Sequence, residues 1–253
     1  MPNWTSFQAS GPEAVGGRIV PTAAAGRKGT LTAMKHPRLD VRTVVSPLFE
    51  ENAFIIAAPG SQECVVVDPG LDPEGILAEV KELGRRPAAI LNTHGHADHI
   101  AGNGPLKAQW PGCPLVIGGG DASKLTDPVE NLSAGYGIPV TSPPADQLVD
   151  DGDVLELAGV RWTVRDTPGH SRGHVAFLAL DESPIVVLGG DVLFAGSIGR
   201  SDFPDSDPAA LFASIRQVLF KLPDDSIVLS GHGPPTTIGR EKRTNPFVGE
   251  RRA

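Results

Sequence analysis

Four apolar runs in this chain end in the same way. They are "AAILNTHGHADH", "VRWTVRDTPGH", "PIVVLGGD" and "SIVLSGHG". Each leads through β-branched residues to a histidine or aspartate beside a glycine. Short β-branched runs bounded by turn residues read as strands, and groups on loops at the ends of core strands are held by a rigid scaffold. The pattern therefore restricts the chain to folds in which several strand ends meet at one place.

The rest of the sequence fits around that frame. "VRTVV", starting at Val41, is the first expected strand, and "AFIIAA" and "ECVVVD" are the next two. "DPEGILAEVKELG" predicts a helix with Asp72 as N-cap, Pro73 in the first turn and Gly84 as the stop. Its apolar face is Ile76, Leu77, Val80 and Leu83. A second helix is expected near Asp98 or His99, and "CPLVIG" is another strand. Residues 121–147 read as irregular. "DVLELAG" and "VRWTVRDT" form a hairpin turning at Ala158–Gly159, and "HVAFLAL" is a further strand. "DPAALFASIRQVLFKL" is an amphipathic helix. Strands and a helix, then strands and a helix, without strict alternation, give an α/β fold: a four-layer αββα sandwich with sheet packed on sheet.

Residues 1–36 are rich in Ala, Gly, Pro, Ser and Thr and carry no apolar core of a signal peptide. They are expected to be a disordered extension, with His36 solvated, Met34 an alternative start, and residues 37–253 the working domain. No stretch is apolar enough to span a membrane. The net charge of -8 argues against a nucleic-acid or anionic-membrane partner. The two cysteines, Cys64 in a strand and Cys113 in a turn, read as reduced thiols of a cytoplasmic protein.

Three of the 7 histidines fall between positions 94 and 99. Imidazoles so close are costly to bury without partners. His94 and His96 lie on an extended segment, so both can face one ion. Asp98 and His99 follow as the chain begins to coil, so the segment can feed a neighbouring ion. That spacing differs from H-E-x-x-H, which needs both histidines on one helix face. His170 would complete one group and His232 the other, with Asp191 between them. Imidazole and carboxylate suit zinc, and equally iron or manganese. His174 reads as a structural residue behind the ligands. Asp166 is either a partner of a ligating histidine or a strand-end cap.

These motifs resemble those of the metallo-β-lactamase superfamily, through "THGHADH", over most of Val41 to Val248. "TPGHSRGH", "GGDVLFAGSIGRSDFP" and "SGHGPPTTIGREKRTNPF" are similar to the glyoxalase II-like hydrolases of short bacterial type. The resemblance implies the αββα fold and two divalent metal ions, zinc first among the candidates. It assigns His94, His96 and His170 to one ion and Asp98, His99 and His232 to the other, with Asp191 bridging and Asp98 and Asp191 catalytic. It also implies hydrolysis of S-2-hydroxyacyl-glutathione, a lactoylglutathione-like thioester of methylglyoxal detoxification. Bound water made acidic by metal supplies hydroxide for attack on the thioester carbonyl. Two divalent ions, two aspartates and one hydroxide leave roughly +1, which favours an anionic substrate. The resemblance makes Arg200 a substrate-binding residue, by carboxylate pairing; pairing with Asp202 is the other reading. Arg240, Lys242, Arg243 and Asn245 touch substrate or cap the fold. Longer glyoxalase II enzymes carry a C-terminal helical domain that this sequence does not show, which leaves the thiol carrier open.

Two other functions are compatible with the motifs. An iron-dependent persulfide dioxygenase shares "HADHI" and "GRSDF"-like stretches, but its last ligand motif commonly reads His-Asp-Tyr, whereas this one reads "GHGPPTT". Another hydrolase of the superfamily, such as a lactonase, would use the same ligands. A non-catalytic metal module fits poorly, because structural zinc sites are closed.

Overall fold

Two sheets carry the chain in the computed structural model, which describes residues 31–250. The first sheet holds seven strands in sequence order: β1 (Leu31–Lys35), β2 (Asp40–Val45), β3 (Asn52–Ala57), β4 (Glu63–Val67), β5 (Arg86–Asn92), β6 (Leu115–Gly118) and β7 (Gln147–Val149). The second begins with β8 (Val154–Leu157), β9 (Val160–Asp166), β10 (Val175–Ala179) and β11 (Val186–Gly190). A small hairpin follows, β12 (Leu193–Phe194) with β13 (Ser197–Ile198). Then β14 (Ile227–Ser230) and β15 (Thr236–Thr237) complete the second sheet in the order β15-β14-β11-β10-β9-β8. β4 to β7 run parallel to one another, as do β11 and β14.

Side-chain alternation produces the layers. Along β10, Val175, Phe177 and Ala179 join the large core shared with the first sheet, while Ala176 and Leu178 join a second core on the outer face. β11 repeats this with Val186 and Leu188 inward and Val187 outward. A period of two sends successive residues to opposite faces, so the second sheet needs cover on both. Its outer face is covered by α4 (Pro208–Ala213) and α5 (Ile238–Thr244), through Leu211 and Ile238. The first sheet is covered by α1 (Pro73–Glu82) and α3 (Asn103–Gln109), with the short α2 (Ala97–Ile100) before it. β4, buried along "CVVV", reads as one apolar run because both of its faces are packed. The result is the expected four-layer αββα sandwich.

Local chemistry fixes α1 as expected: Asp72 Oδ1 accepts from Gly75 N at 3.1 Å, and the helix ends before Gly84. The hairpin of β8 and β9 turns at Ala158–Gly159, where Leu157 pairs with Val160.

The expected boundary at residue 37 is corrected. The sheet starts six residues before Pro37, because Leu31–Lys35 pairs antiparallel with Asp40–Val44 and supplies backbone partners to what would be an open edge. Disorder expected over residues 1–30 lies outside the described residues. His36 is also corrected: it is buried, and Nε2 bonds Pro184 O at 2.9 Å. The irregular stretch 121–147 contains two short 3-10 turns, Gly119–Leu125 and Ser133–Tyr136, and leads into β7. The helix expected from Asp207 starts with Asp207 Oδ1 accepting from Ala209 N and Ala210 N, then widens into a π turn over Ser214–Val218. Cys64 and Cys113 are free and buried, and burial pushes their thiols up to about 12 and about 11. Among the described residues, no helix is long and apolar enough to cross a membrane.

Candidate metal centre

The parallel strands deliver their ends to one edge of the sandwich. β5 ends at Asn92, and Thr93 and His94 follow. The chain stays extended to His96, which precedes α2, so Asp98 and His99 sit in the first turn of that helix. His170 follows β9, Asp191 follows β11 and His232 follows β14. Two glycines make the convergence possible. At Gly169, φ is 133° and a Cβ would overlap the backbone of Leu211, so only glycine lets α4 press on the His170 loop. At Gly231 a Cβ would overlap Asp191 Oδ1 and sit 2.6 Å from His99 Cε1.

The seven expected donors form one cluster of nitrogen and oxygen atoms. His94 Nε2 is 3.1 Å from His96 Nδ1, which is 2.9 Å from His170 Nε2. His99 Nε2 is 3.8 Å from Asp98 Oδ2, and His232 Nε2 is 3.3 Å from the same oxygen. Asp191 lies between the groups: Oδ2 is 3.5 Å from both His170 Nε2 and His232 Nε2, and Oδ1 is 3.5 Å from His99 Nε2. Three sets of these side chains have ligand atoms close enough to hold an ion: His94, His96 and His170; Asp98, His99 and His232; and His94, His99 and Asp191.

The outer contacts turn lone pairs inward. His170 Nδ1 donates to Arg200 O at 2.8 Å and His232 Nδ1 to Phe49 O at 3.0 Å, leaving each Nε2 as an acceptor. Thr93 Oγ1 donates to Asp68 Oδ2 at 2.7 Å, so it accepts from His94 Nδ1 at 3.1 Å and frees His94 Nε2. His94 Nε2 and His170 Nε2 both turn lone pairs toward His96 Nδ1, at 3.1 and 2.9 Å; an N–H there could serve only one of them, whereas a cation joins all three. Donors about 2.0–2.1 Å from a tetrahedral ion stand roughly 3.3 Å apart, close to the spacing observed. His99 Nε2 and Asp191 Oδ1 are buried with no hydrogen-bond partner. Buried polar atoms rarely stay unpaired, so the donor set fits divalent metal.

Electrostatics agree. Burial drives His94 well below the ordinary imidazole range, and burial with neighbouring His170 brings His96 to about 3. Both are neutral imidazoles at physiological pH, the form that can bind a metal. Burial alone would raise Asp191, yet His99, His232 and His170 around it hold its carboxyl far below the usual range. Asp98 is lowered as well, since His99 and His232 outweigh its burial.

Residues that sequence reasoning missed hold this arrangement in place. Asp68 closes β4 and accepts from Thr93 N at 2.7 Å, with Oδ2 3.1 Å from His99 Nδ1. Its signal was present, since "ECVVVD" ends in aspartate just as "PIVVLGGD" does. Asp121 accepts from Gly95 N at 2.8 Å and Gly173 N at 2.8 Å, and from Ser171 Oγ. It thus ties the His94–His96 loop to the His170 loop, and Lys124 neutralises it at 3.3 Å. Nothing in "GGGDASKL" announces that role. Glu51, buried behind Asp98, has no partner for either oxygen, and burial raises its carboxyl well above the ordinary range. His174 sits behind the cluster: Nε2 accepts from Asp191 N at 3.1 Å, and the ring stacks on His94 at 5.0 Å. Asp166 is exposed at the end of β9 and bonds none of the histidines; of its two readings, only the strand end survives.

A cleft of about 410 Å³ opens above Asp98, His170, Asp191 and His232. Arg200 lies on its wall, with the guanidinium 4.4 Å from the Phe203 ring and bonded twice to Asp202, at 2.9 Å each. The basic tail caps the fold: Lys242 and Arg243 pair with Asp224, and Asn245 bonds Glu241.

Comparison with known proteins gives a consistent picture. The family model described as the metallo-beta-lactamase superfamily matches residues 47–232. Hydroxyacylglutathione hydrolase GloC of Haemophilus influenzae is 33% identical, covering 83% of this chain and 98% of its own. The crystal structure of BLEG-1 B3 metallo-beta-lactamase superposes with a TM-score of 0.79 at 35% identity, over 83% of this chain and 100% of that one. TTHA1623 in a di-iron-bound form gives 0.69 at 37% identity, over 81% and 98%.

Proposed function

The chain belongs to the metallo-beta-lactamase superfamily, and from that premise we propose that it is a binuclear metallohydrolase that cleaves a small-molecule thioester. The observation carrying this reading is the cluster of seven inward donors, with orphaned His99 Nε2 and Asp191 Oδ1, at the floor of an open cleft. His94, His96 and His170 would hold one ion, Asp98, His99 and His232 the other, and Asp191 would bridge them. Zinc is our first candidate, and the di-iron form of TTHA1623 keeps iron in view. When bound, such ions acidify water and polarise a carbonyl.

The chain's own residues supply the rest. Asp98, half-buried and facing the cleft, can take the proton released by the attacking water on a carboxylate oxygen. The water oxygen forms the new C–O bond, the C–S bond breaks, and the thiolate leaves with the electron pair to be protonated. No side-chain nucleophile is needed. Both cysteines lie in the core, and Ser133 on the cleft wall donates its hydroxyl to Asn131 Oδ1 at 2.6 Å. Arg200, at the rim, is placed to meet an anionic group of the substrate if Asp202 yields it. Lactoylglutathione is the first substrate to test, on the strength of the motif resemblance and the GloC relative.

Metal analysis of purified protein, coupled to thioester turnover, tests the proposal. We expect about two ions per chain and thioester cleavage without oxygen uptake. Asp98→Ala and Asp191→Ala should each lower kcat at least 100-fold, the scale of removing a positioned proton-transfer group, with circular dichroism unchanged. Near-wild-type activity in either variant overturns the reading. Oxygen uptake with glutathione persulfide would favour the dioxygenase, and turnover confined to lactones or β-lactams another hydrolase of the superfamily.

A further inference from the structure

The walls of the cleft are mostly apolar. Above the Asp98–His232 floor they are formed by Leu48, Phe49, Tyr136, Ile138, Phe194 and Phe203. Four of these are exposed apolar side chains at the mouth, from Phe49 at 51% to Ile138 at 62%. The Phe49 and Tyr136 rings meet edge-on at 5.4 Å across it. Single exposed apolar residues are common, but a contiguous group marks a binding surface. Phe49 holds its place at φ 65°, a left-handed conformation uncommon for a bulky side chain. Its carbonyl receives His232 Nδ1, so the residue that lines the mouth also orients a donor.

Polar recognition is sparse by comparison. Among the described residues, Arg200 is the one lysine or arginine lining the cleft, and it is already bonded to Asp202. Arg240, Lys242 and Arg243 are not among the lining residues, and Lys242 and Arg243 pair with Asp224. A tripeptide thiol would bring two carboxylates and an ammonium to a wall that offers them little. A lactoyl group, with one methyl and one hydroxyl, would leave most of the apolar surface bare.

We infer that the substrate lays an apolar chain of several methylenes, or an aryl ring, against the Phe49–Tyr136–Ile138 wall, with its reacting carbonyl at the Asp98–His232 floor. This rests on the hydrolase reading above. The chain belongs to either the acyl or the thiol side of the thioester, which present the same surface to the wall.

Two series of unreactive thioethers separate the sources and do not depend on turnover. S-alkylglutathiones from methyl to octyl place the chain where the acyl group would be. 2-Hydroxypropyl alkyl thioethers place it on the thiol side. Calorimetric titration of the metal-loaded protein should show Kd falling about fourfold per methylene in at least one series, the factor for a buried CH₂. Phe49→Asn, which suits the left-handed backbone, and Ile138→Asn, at an exposed position, should both flatten that dependence. Kd independent of chain length in both series overturns the inference. So does a dimer, seen by sedimentation and dissolved by Phe49→Asn, that blocks binding of every thioether, since the mouth would then be covered by a second copy. A normal chain-length dependence with no thioester cleaved would instead sink the hydrolase reading and leave the apolar wall in place.

Discussion

At the residue scale, the centre depends on what is absent at position 231 as much as on the donors. A methyl group there would overlap Asp191 Oδ1 and crowd His99 Cε1 at 2.6 Å. Gly231→Ala should therefore displace the Asp191 carboxylate, lowering metal content from about two ions toward one and thioester turnover by roughly 100-fold, the scale expected when ligand-orienting contacts are lost. Gly112→Ala is the control, since a Cβ at Gly112 meets nothing within 4 Å. Equal metal content in the two variants would refute this role. The seven donors could be read from sequence because each follows an apolar run beside glycine, or falls in the crowded stretch from His94 to His99. Asp121 could not. Its contacts to Gly95 and Gly173 depend on loops from different sheets, and no local pattern encodes that meeting.

At the scale of elements, Asp121 works as a clamp. It sits on the 3-10 turn after β6 and receives hydrogen bonds from the loop after β5 and from the loop before β10, across the two sheets. Asp121→Asn keeps the shape but replaces one acceptor oxygen with a donor amide. It also weakens the pairing of Lys124, whose remaining partners are Asp205 at 2.5 Å and the Ser171 hydroxyl. Losing a buried charge-assisted bond costs about 1–3 kcal/mol. We expect that loss of stability in urea unfolding, together with weaker metal binding at His94, His96 and His170. A stability loss with metal affinity unchanged would make Asp121 a packing residue only. Elements were legible where their period was strong: β10 and β11 alternate faithfully between two cores, and α1 carries its cap and its stop. The short strands β7, β12, β13 and β15 were not, because two or three residues hold no period. β1 was missed because its pairing with β2 stabilises a stretch whose composition favours disorder.

For the whole molecule, the donors divide between the halves of the sandwich. His94, His96, Asp98 and His99 come from the first sheet, and His170, Asp191 and His232 from the second. Metal bound there would tie the halves together at one edge, while the apolar core spreads the joint beneath them. An ion that binds the folded chain alone stabilises it by about 4 kcal/mol at a free concentration 1,000 times its Kd. In a domain of this size each kcal/mol shifts Tm by roughly 2–4 °C. Chelation followed by dialysis should therefore lower Tm by on the order of 10 °C, and re-addition of Zn²⁺, Fe²⁺ or Mn²⁺ should restore it by an amount that rises with the logarithm of affinity. The apo protein should stay folded at room temperature, because the shared core does not require the ions. In Asp191→Ala, which lacks the carboxylate between the two groups of donors, the shift between apo and loaded forms should shrink. If chelation left Tm unchanged in the unmodified protein, the inward lone pairs would have to be joined by protons, and the reading of this edge as a metal centre would fail.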